Sequence, residues 1–159
     1  MIRKATAQDY DAVWEIFHAV IRTEDTYVFP SNTPKSDLEK LWFAPNMHTY
    51  VYEERDEIMG TFFIRPNSIG SGNHIANAGY MIHPDAQGKG IGKLLGKYSL
   101  QLAKELGFTA MQYNMVVSTN QNAIKLWKKL GFKIIGTTPK GFKHKKLGLV
   151  DTYIMYKSL

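Results

Sequence analysis

The segment Ile82-His83-Pro84-Asp85-Ala86-Gln87-Gly88-Lys89-Gly90-Ile91-Gly92-Lys93-Leu94-Leu95 gathers the residue types that hold an anion. Glycine lets backbone approach a ligand with no Cβ in the way. The first N–H groups of a helix have no partners within it, and the helix dipole favours negative charge there. A phosphate or pyrophosphate is the natural occupant, with Lys89 and Lys93 adding positive charge. A P-loop needs Gly-Lys-Ser/Thr after its first glycine and four intervening residues, and the chain has no such run. Gly88, Gly90 and Gly92 give G-x-G-x-G, in which the last glycine is misplaced for a dinucleotide fingerprint.

Other residues are candidates for proton transfer or substrate contact. His74 is of the residue type that most often serves as a general base near neutral pH. Glu53 and Glu54 end a strand-like run, where carboxylates are most often solvated. Glu24, Asp25, Thr26, Tyr27 and Phe29 set acids beside aromatics in the connection that follows the first helix. Lys140-Gly141-Phe142-Lys143-His144-Lys145-Lys146 reads as a basic loop, with cations for phosphates and a ring on which a base could stack. Cysteine is absent, which excludes disulfides, thiolate metal sites and a cysteine nucleophile. The net charge of +6 points to an anionic partner: nucleic acid, anionic lipid or a phosphorylated cofactor.

The elements that must position these groups alternate in period. Ile2–Ala5 reads as a strand, and Thr6-Ala7-Gln8-Asp9 as a capping box opening a helix from about Ala7 to Arg22. Ser36–Glu39 starts a short helix through Trp42. Thr49–Glu53 and Ile58–Arg65 read as strands about a turn at Arg55-Asp56, and His74–His83 as another strand, stopped by Pro84. From Gly90 the helical period returns, with Gly107 as its stop. Met111–Val117 is a strand, Ala123–Leu130 a helix ended by Gly131, and Phe132–Gly136 and Asp151–Tyr156 two closing strands. At 159 residues the chain reads as a single domain, 1–159, able to bury its own core. Its start lacks the apolar run of a secretory signal, and no stretch approaches the ~20 apolar residues of a membrane span, so a cytoplasmic protein is expected.

The glycine segment resembles the acyl-CoA loop of the GNAT superfamily of N-acetyltransferases, whose pattern Gln/Arg-x-x-Gly-x-Gly/Ala is matched by Gln87, Gly90 and Gly92. Asn120-Gln121-Asn122-Ala123 through Leu130-Gly131-Phe132 resembles the helix that follows in that family, Asn-x-x-Ala ending in Gly-Phe. Both blocks stand in the family's order and separation, and the first strand and helix match its N-terminal half. Gly148–Tyr153 is similar to the branch containing phosphinothricin-type and amino-acid N-acyltransferases.

The resemblance implies an α/β (α+β) GNAT fold: a mixed sheet of about six to seven strands with a splayed pair, flanked by about four helices. It implies acetyl-CoA as cosubstrate, no metal, and direct transfer to a primary amine of a small-molecule or amino-acid-like acceptor in a ternary complex. By position, the backbone of Met81, Ile82 and His83 would pair with the pantetheine arm. The amides of Gln87, Gly88, Lys89, Gly90, Ile91 and Gly92, beside Lys93, would cradle the pyrophosphate, and Asn120 would touch pantetheine. An N–H from the stretch Tyr80–Ile82 would face the developing oxyanion, with His74 as base and Glu24, Tyr27 and Phe29 around the acceptor. The family's usual tyrosine acid is replaced by Trp127, whose indole is no useful acid. The partner expected is a small amine, without nucleic acid or membrane, and dimers are frequent in the family. The competing readings are a catalytically degenerate acyl-CoA sensor and, on the basic stretch, a nucleic-acid-binding module.

Overall fold

The computed structural model describes residues 1–159. In chain order it contains β1 (Ile2–Lys4), α1 (Tyr10–Ile21), α2 (Leu38–Trp42), β2 (His48–Glu54), β3 (Glu57–Pro66) and β4 (Ile75–Ile82). These are followed by α3 (Ile91–Glu105), β5 (Ala110–Val117), α4 (Gln121–Lys129), β6 (Lys133–His144) and β7 (Gly148–Ser158). The strands form one sheet in the order β1-β2-β3-β4-β5-β7-β6, antiparallel everywhere except between β4 and β5. This mixed α/β architecture, with seven strands and four α-helices, matches the expected fold class.

Local chemistry explains the element ends. Arg55 and Asp56 both take positive φ (52° and 64°), which turns β2 tightly into β3. At the N-terminus the Asp9 carboxylate accepts from the Thr6 backbone N–H at 2.7 Å and from two Arg3 nitrogens at 2.8 and 2.9 Å. Arg3 also donates to Glu53 at 2.6 Å, tying β1 to both the first helix and β2. The hydrogen bond from Arg3 holds the Asp9 carboxyl at about 2, below the ordinary carboxylate range.

Side chains alternate across β3, so Phe62 and Ile64 face one layer while Phe63 faces the other. Phe62 and Ile64 join Leu95, Ile124 and Trp127 beneath α3 and α4. Phe63 joins Phe17 and Trp42 beneath α1 and α2. Gly79, opposite Phe63 on β4, makes that second layer possible. A Cβ there would lie 2.6 Å from Phe63 Cε1 and 3.2 Å from Trp42 Cη2. Gly79→Ala is therefore expected to destabilise the protein by ~1–3 kcal/mol through overpacking, read as a fall of several degrees in Tm. An unchanged Tm would show that the Phe63 ring moves aside without loss.

One expectation from the sequence is corrected. Lys140–Lys146 is not a loop: Lys140–His144 completes β6, and only Lys145, Lys146 and Leu147 turn into β7. The glycine and proline near Lys140 mark an irregularity inside the hairpin, where the register shifts between Thr138 and Phe142. The Asp151 carboxylate accepts the Lys140 N–H at 2.9 Å across it.

Candidate functional site

β4 and β5 pair only at Ile75 with Ala110 and Ala76 with Met111, and then part. At the fork the Asn77 side chain donates to the Gln112 carbonyl at 3.0 Å. The wedge beyond it is a cleft of about 280 Å³ between the two strands, the start of α4 and the segment 26–29.

The ladder fixes which backbone groups enter this wedge. The His83 N–H donates to the Met59 carbonyl at 2.9 Å on the β3 side. Backbone groups alternate along a strand, so the amides of Met81 and Gly79 also face β3, while those of Ile82, Tyr80 and Ala78 face the wedge. This narrows the expectation for Met81, Ile82 and His83: only Ile82 presents its backbone to a ligand lying there. Met81 is buried in the α1 and α2 layer. The His83 ring accepts the Asp85 N–H at 3.2 Å and shapes the turn.

The Tyr80 amide faces the wedge but is engaged. It donates to the Tyr27 hydroxyl at 2.9 Å, and that hydroxyl donates to the Tyr80 carbonyl at 2.7 Å. Tyr27 is thus an extra rung on β4 rather than a simple pocket wall, and burial pushes its phenol far above the ordinary range. The Tyr80 side chain points to the opposite layer, where its hydroxyl meets Ser99 at 2.6 Å and Tyr113 at 2.9 Å. Burial pushes the Tyr80 phenol up to about 12 and raises Tyr113 well above its ordinary value, so both stay protonated at neutral pH.

At the end of β4 the chain enters the glycine segment. Gly88 and Gly90 adopt φ of +77° and +79°, and no atom lies within 4 Å of where a Cβ would stand on either. The first ladder bond of α3 runs from the Leu94 N–H to the Gly90 carbonyl at 3.1 Å, leaving the N–H groups of Ile91, Gly92 and Lys93 outside the ladder. Gly92 lets α3 approach β4, since a Cβ would sit 3.2 Å from Ile82 Cδ1. Gln87, Lys89 and Lys93 are exposed around this terminus. Asn120 lines the cleft as the N-cap of α4, its side-chain oxygen accepting the Ala123 N–H at 3.3 Å. Its amide NH2 is not used in that cap.

Two expectations about the chemistry change. His74 is exposed at the entrance of β4, where its carbonyl still accepts the Thr109 N–H at 2.9 Å. Six residues separate it from Tyr80, roughly 20 Å along a strand, so it is no base for this cleft. Glu24 is engaged: Ser31 donates to its carboxylate at 3.1 Å, and the Lys145 ammonium lies 3.6 Å away. Asp25 accepts from Thr23. Phe29 does flank the cleft, stacked on Tyr27 with centroids 5.9 Å apart.

Trp127 is 8% exposed, its ring 4.8 Å from Tyr80 and 4.7 Å from Tyr113. Two residues that sequence reasoning passed over also line the cleft, Tyr113 and Arg65. Arg65 carried a signal: it follows Phe63 by two positions, which sets a cation on the inward face of a strand.

Two parting strands thus open a wedge, and a left-handed glycine loop leads from the end of β4 into a long helix. Residues 11–132 match the acetyltransferase (GNAT) family. The chain belongs to that family. It is 35% identical to an N-acetyltransferase of Schizosaccharomyces pombe over 70% of this chain and 54% of that one, so it spans about half the length of the yeast protein. It is 30% identical to an L-amino acid N-acyltransferase of Escherichia coli over 87% of this chain and 83% of that one. A GCN5-related N-acetyltransferase from Kribbella flavida superposes with a TM-score of 0.96 at 33% identity, covering 100% of this chain and 97% of that one.

The family cosubstrate acetyl-CoA fits the GNAT site found here. The free N–H groups at the start of α3 suit a pyrophosphate, Gly88 and Gly90 keep side chains out of that approach, and Ile82 offers an unpaired strand edge to an extended amide arm.

Proposed function

We propose that this chain is an acetyl-CoA-dependent N-acetyltransferase for the primary amine of a small, amino-acid-like acceptor. The observation that carries the reading is the wedge itself, opened where β4 parts from β5 and flanked by the aromatic segment 26–29. The name of the Escherichia coli relative supports the acceptor class. Bound acetyl-CoA supplies an activated acetyl thioester: the amine nitrogen forms the new C–N bond, the C–S bond breaks, and coenzyme A leaves as thiol.

The chain's own residues bind and orient. The amides of Gly90, Ile91, Gly92 and Lys93 hold the pyrophosphate, Ile82 the pantetheine arm, and the free amide of Asn120 the same arm from the β5 side. The Tyr80 N–H is a polar donor facing the wedge, and its use requires the Tyr27 hydroxyl to swing away. Trp127 cannot protonate a departing thiolate. Tyr113, which lines the cleft and shares a hydrogen bond with Tyr80, holds the hydroxyl nearest to that role.

Thiol release from acetyl-CoA with amino acids, polyamines and peptides, alongside calorimetric acetyl-CoA binding, tests the reading. Turnover with a small amine is expected. Binding without turnover overturns the enzyme in favour of an acyl-CoA sensor, and absence of binding overturns the site.

A further inference from the structure

The cleft carries one charged side chain, Arg65, and no carboxylate. Arg65 leans over the Phe63 ring, its guanidinium carbon 5.4 Å from the centroid, and it makes no ion pair or hydrogen bond within the chain. It is only partly exposed. A cation–π contact of this kind is weak and leaves the five N–H donors of the guanidinium without acceptors in the chain. The arrangement is that of a cation held ready for a planar anion, which guanidinium binds through two parallel hydrogen bonds.

We propose that Arg65 binds the carboxylate of the acceptor, making the substrate an α-amino acid or an analogue with an equivalent anionic group. The inference rests on the N-acetyltransferase reading and names the acceptor that reading leaves open. Arg65 pairs across the ladder with Asn77, three residues from Tyr80 on β4, roughly 10 Å along the strand. An arginine stem and an α-amino carboxylate together span that distance, which sets the amine toward Tyr80. Phe63 and Arg65 lie on the same face of β3 as the segment 26–29, so the clamp belongs to the acceptor side of the wedge.

Electrostatics outside the cleft agree. A second cavity of about 390 Å³ adjoins the first through Tyr27, Val28 and Phe29, and is lined by Lys143, His144 and Lys145 with Glu24. Its one carboxylate is already paired with Lys145. A polyamine or a protein lysine would bring further positive charge into a field that is already positive, whereas a zwitterionic amino acid brings the missing anion.

The experiment measures kcat/KM with methionine, leucine and phenylalanine, each beside its carboxamide and its decarboxylated amine, in the wild-type chain and in Arg65→Gln and Arg65→Lys. With each rate expressed per unprotonated amine, because the amine of the carboxamide is a weaker base than that of the acid, the free acid is expected to exceed its carboxamide by at least about tenfold in the wild type. In Arg65→Gln that ratio should fall close to one, and Arg65→Lys should restore part of it, because a point charge remains without the fork. Calorimetric acetyl-CoA binding by each variant establishes that the fold is retained. A ratio of one in the wild type on that scale, or an unchanged ratio in Arg65→Gln, overturns the assignment. If no amine is acetylated, the enzyme reading fails, and binding of N-acetylmethionine to the CoA-saturated protein decides the clamp separately. Binding that Arg65→Gln abolishes supports it, and no binding by the wild type overturns it.

Discussion

Gly90→Val should weaken acetyl-CoA binding by about ten- to a hundredfold while moving Tm by no more than a few degrees. Gly90 sits at φ +79°, in the left-handed region, and immediately precedes the N–H groups of Ile91, Gly92 and Lys93 that lie outside the α3 ladder. A β-branched residue held there stores ~1–3 kcal/mol of strain, and about 1.4 kcal/mol corresponds to tenfold in affinity. The loop is exposed and nothing lies within 4 Å of the Gly90 Cβ position, so the strain is relieved locally and the core is untouched. The cost therefore falls on the aligned amides, and through them on the pyrophosphate. Gly90→Asn separates the two causes, because asparagine tolerates left-handed backbone but still projects a side chain. If backbone strain dominates, Asn retains most of the affinity. If crowding of the ligand dominates, Asn and Val lose alike. Calorimetric titration with acetyl-CoA measures both, and wild-type affinity in Gly90→Val would remove the loop from the binding site.

The conformation of the glycine loop was readable because it is a property of the backbone. Gly88 and Gly90 encode left-handed backbone at the start of α3, and that depends on residue type at fixed spacing rather than on distant contacts. The hairpin at Arg55-Asp56 and the stops at Gly107 and Gly131 were legible for the same reason, and both glycines take positive φ. The acceptor side was not. Tyr27 looked like a pocket aromatic, and nothing local says that its hydroxyl reaches 53 residues along the chain to bond Tyr80. Glu24 looked like a receptor for a cation until the hairpin brought Lys145 beside it. His74 was attractive for its chemistry alone, and strand length placed it away from the cleft. The basic stretch read as a loop because Gly141 and Pro139 are turn-formers, yet antiparallel pairing with β7 absorbs them in an irregular register. In each case a long-range pairing assigned the residue a role that its neighbours in sequence do not carry.

The pH dependence of transfer should follow the acceptor rather than the protein. The cleft contains no aspartate, glutamate or histidine. The neighbouring cavity contains Glu24, already bonded to Ser31 and paired with Lys145, and His144. The His144 Nδ1 accepts the N–H groups of Lys146 and Leu147, both at 3.1 Å, which places the proton of the neutral ring on Nε2. That ring has no free lone pair with which to take a proton from an amine. The phenols of Tyr27, Tyr80 and Tyr113 are all raised by burial, so none is a phenolate near neutrality. Only an unprotonated amine can attack, and no group of the site removes its proton. Hence kcat/KM for the acceptor should rise about tenfold per pH unit below the acceptor's own pKa, a change on the order of a hundredfold from pH 6 to 8, and level off only there. Acceptors whose amine pKa values differ by about two should show bends displaced by the same amount. A bend that stays at one pH for all acceptors would reveal a titrating base in the protein, and Tyr113→Phe, which leaves every such base in place, should not move the bend in either case.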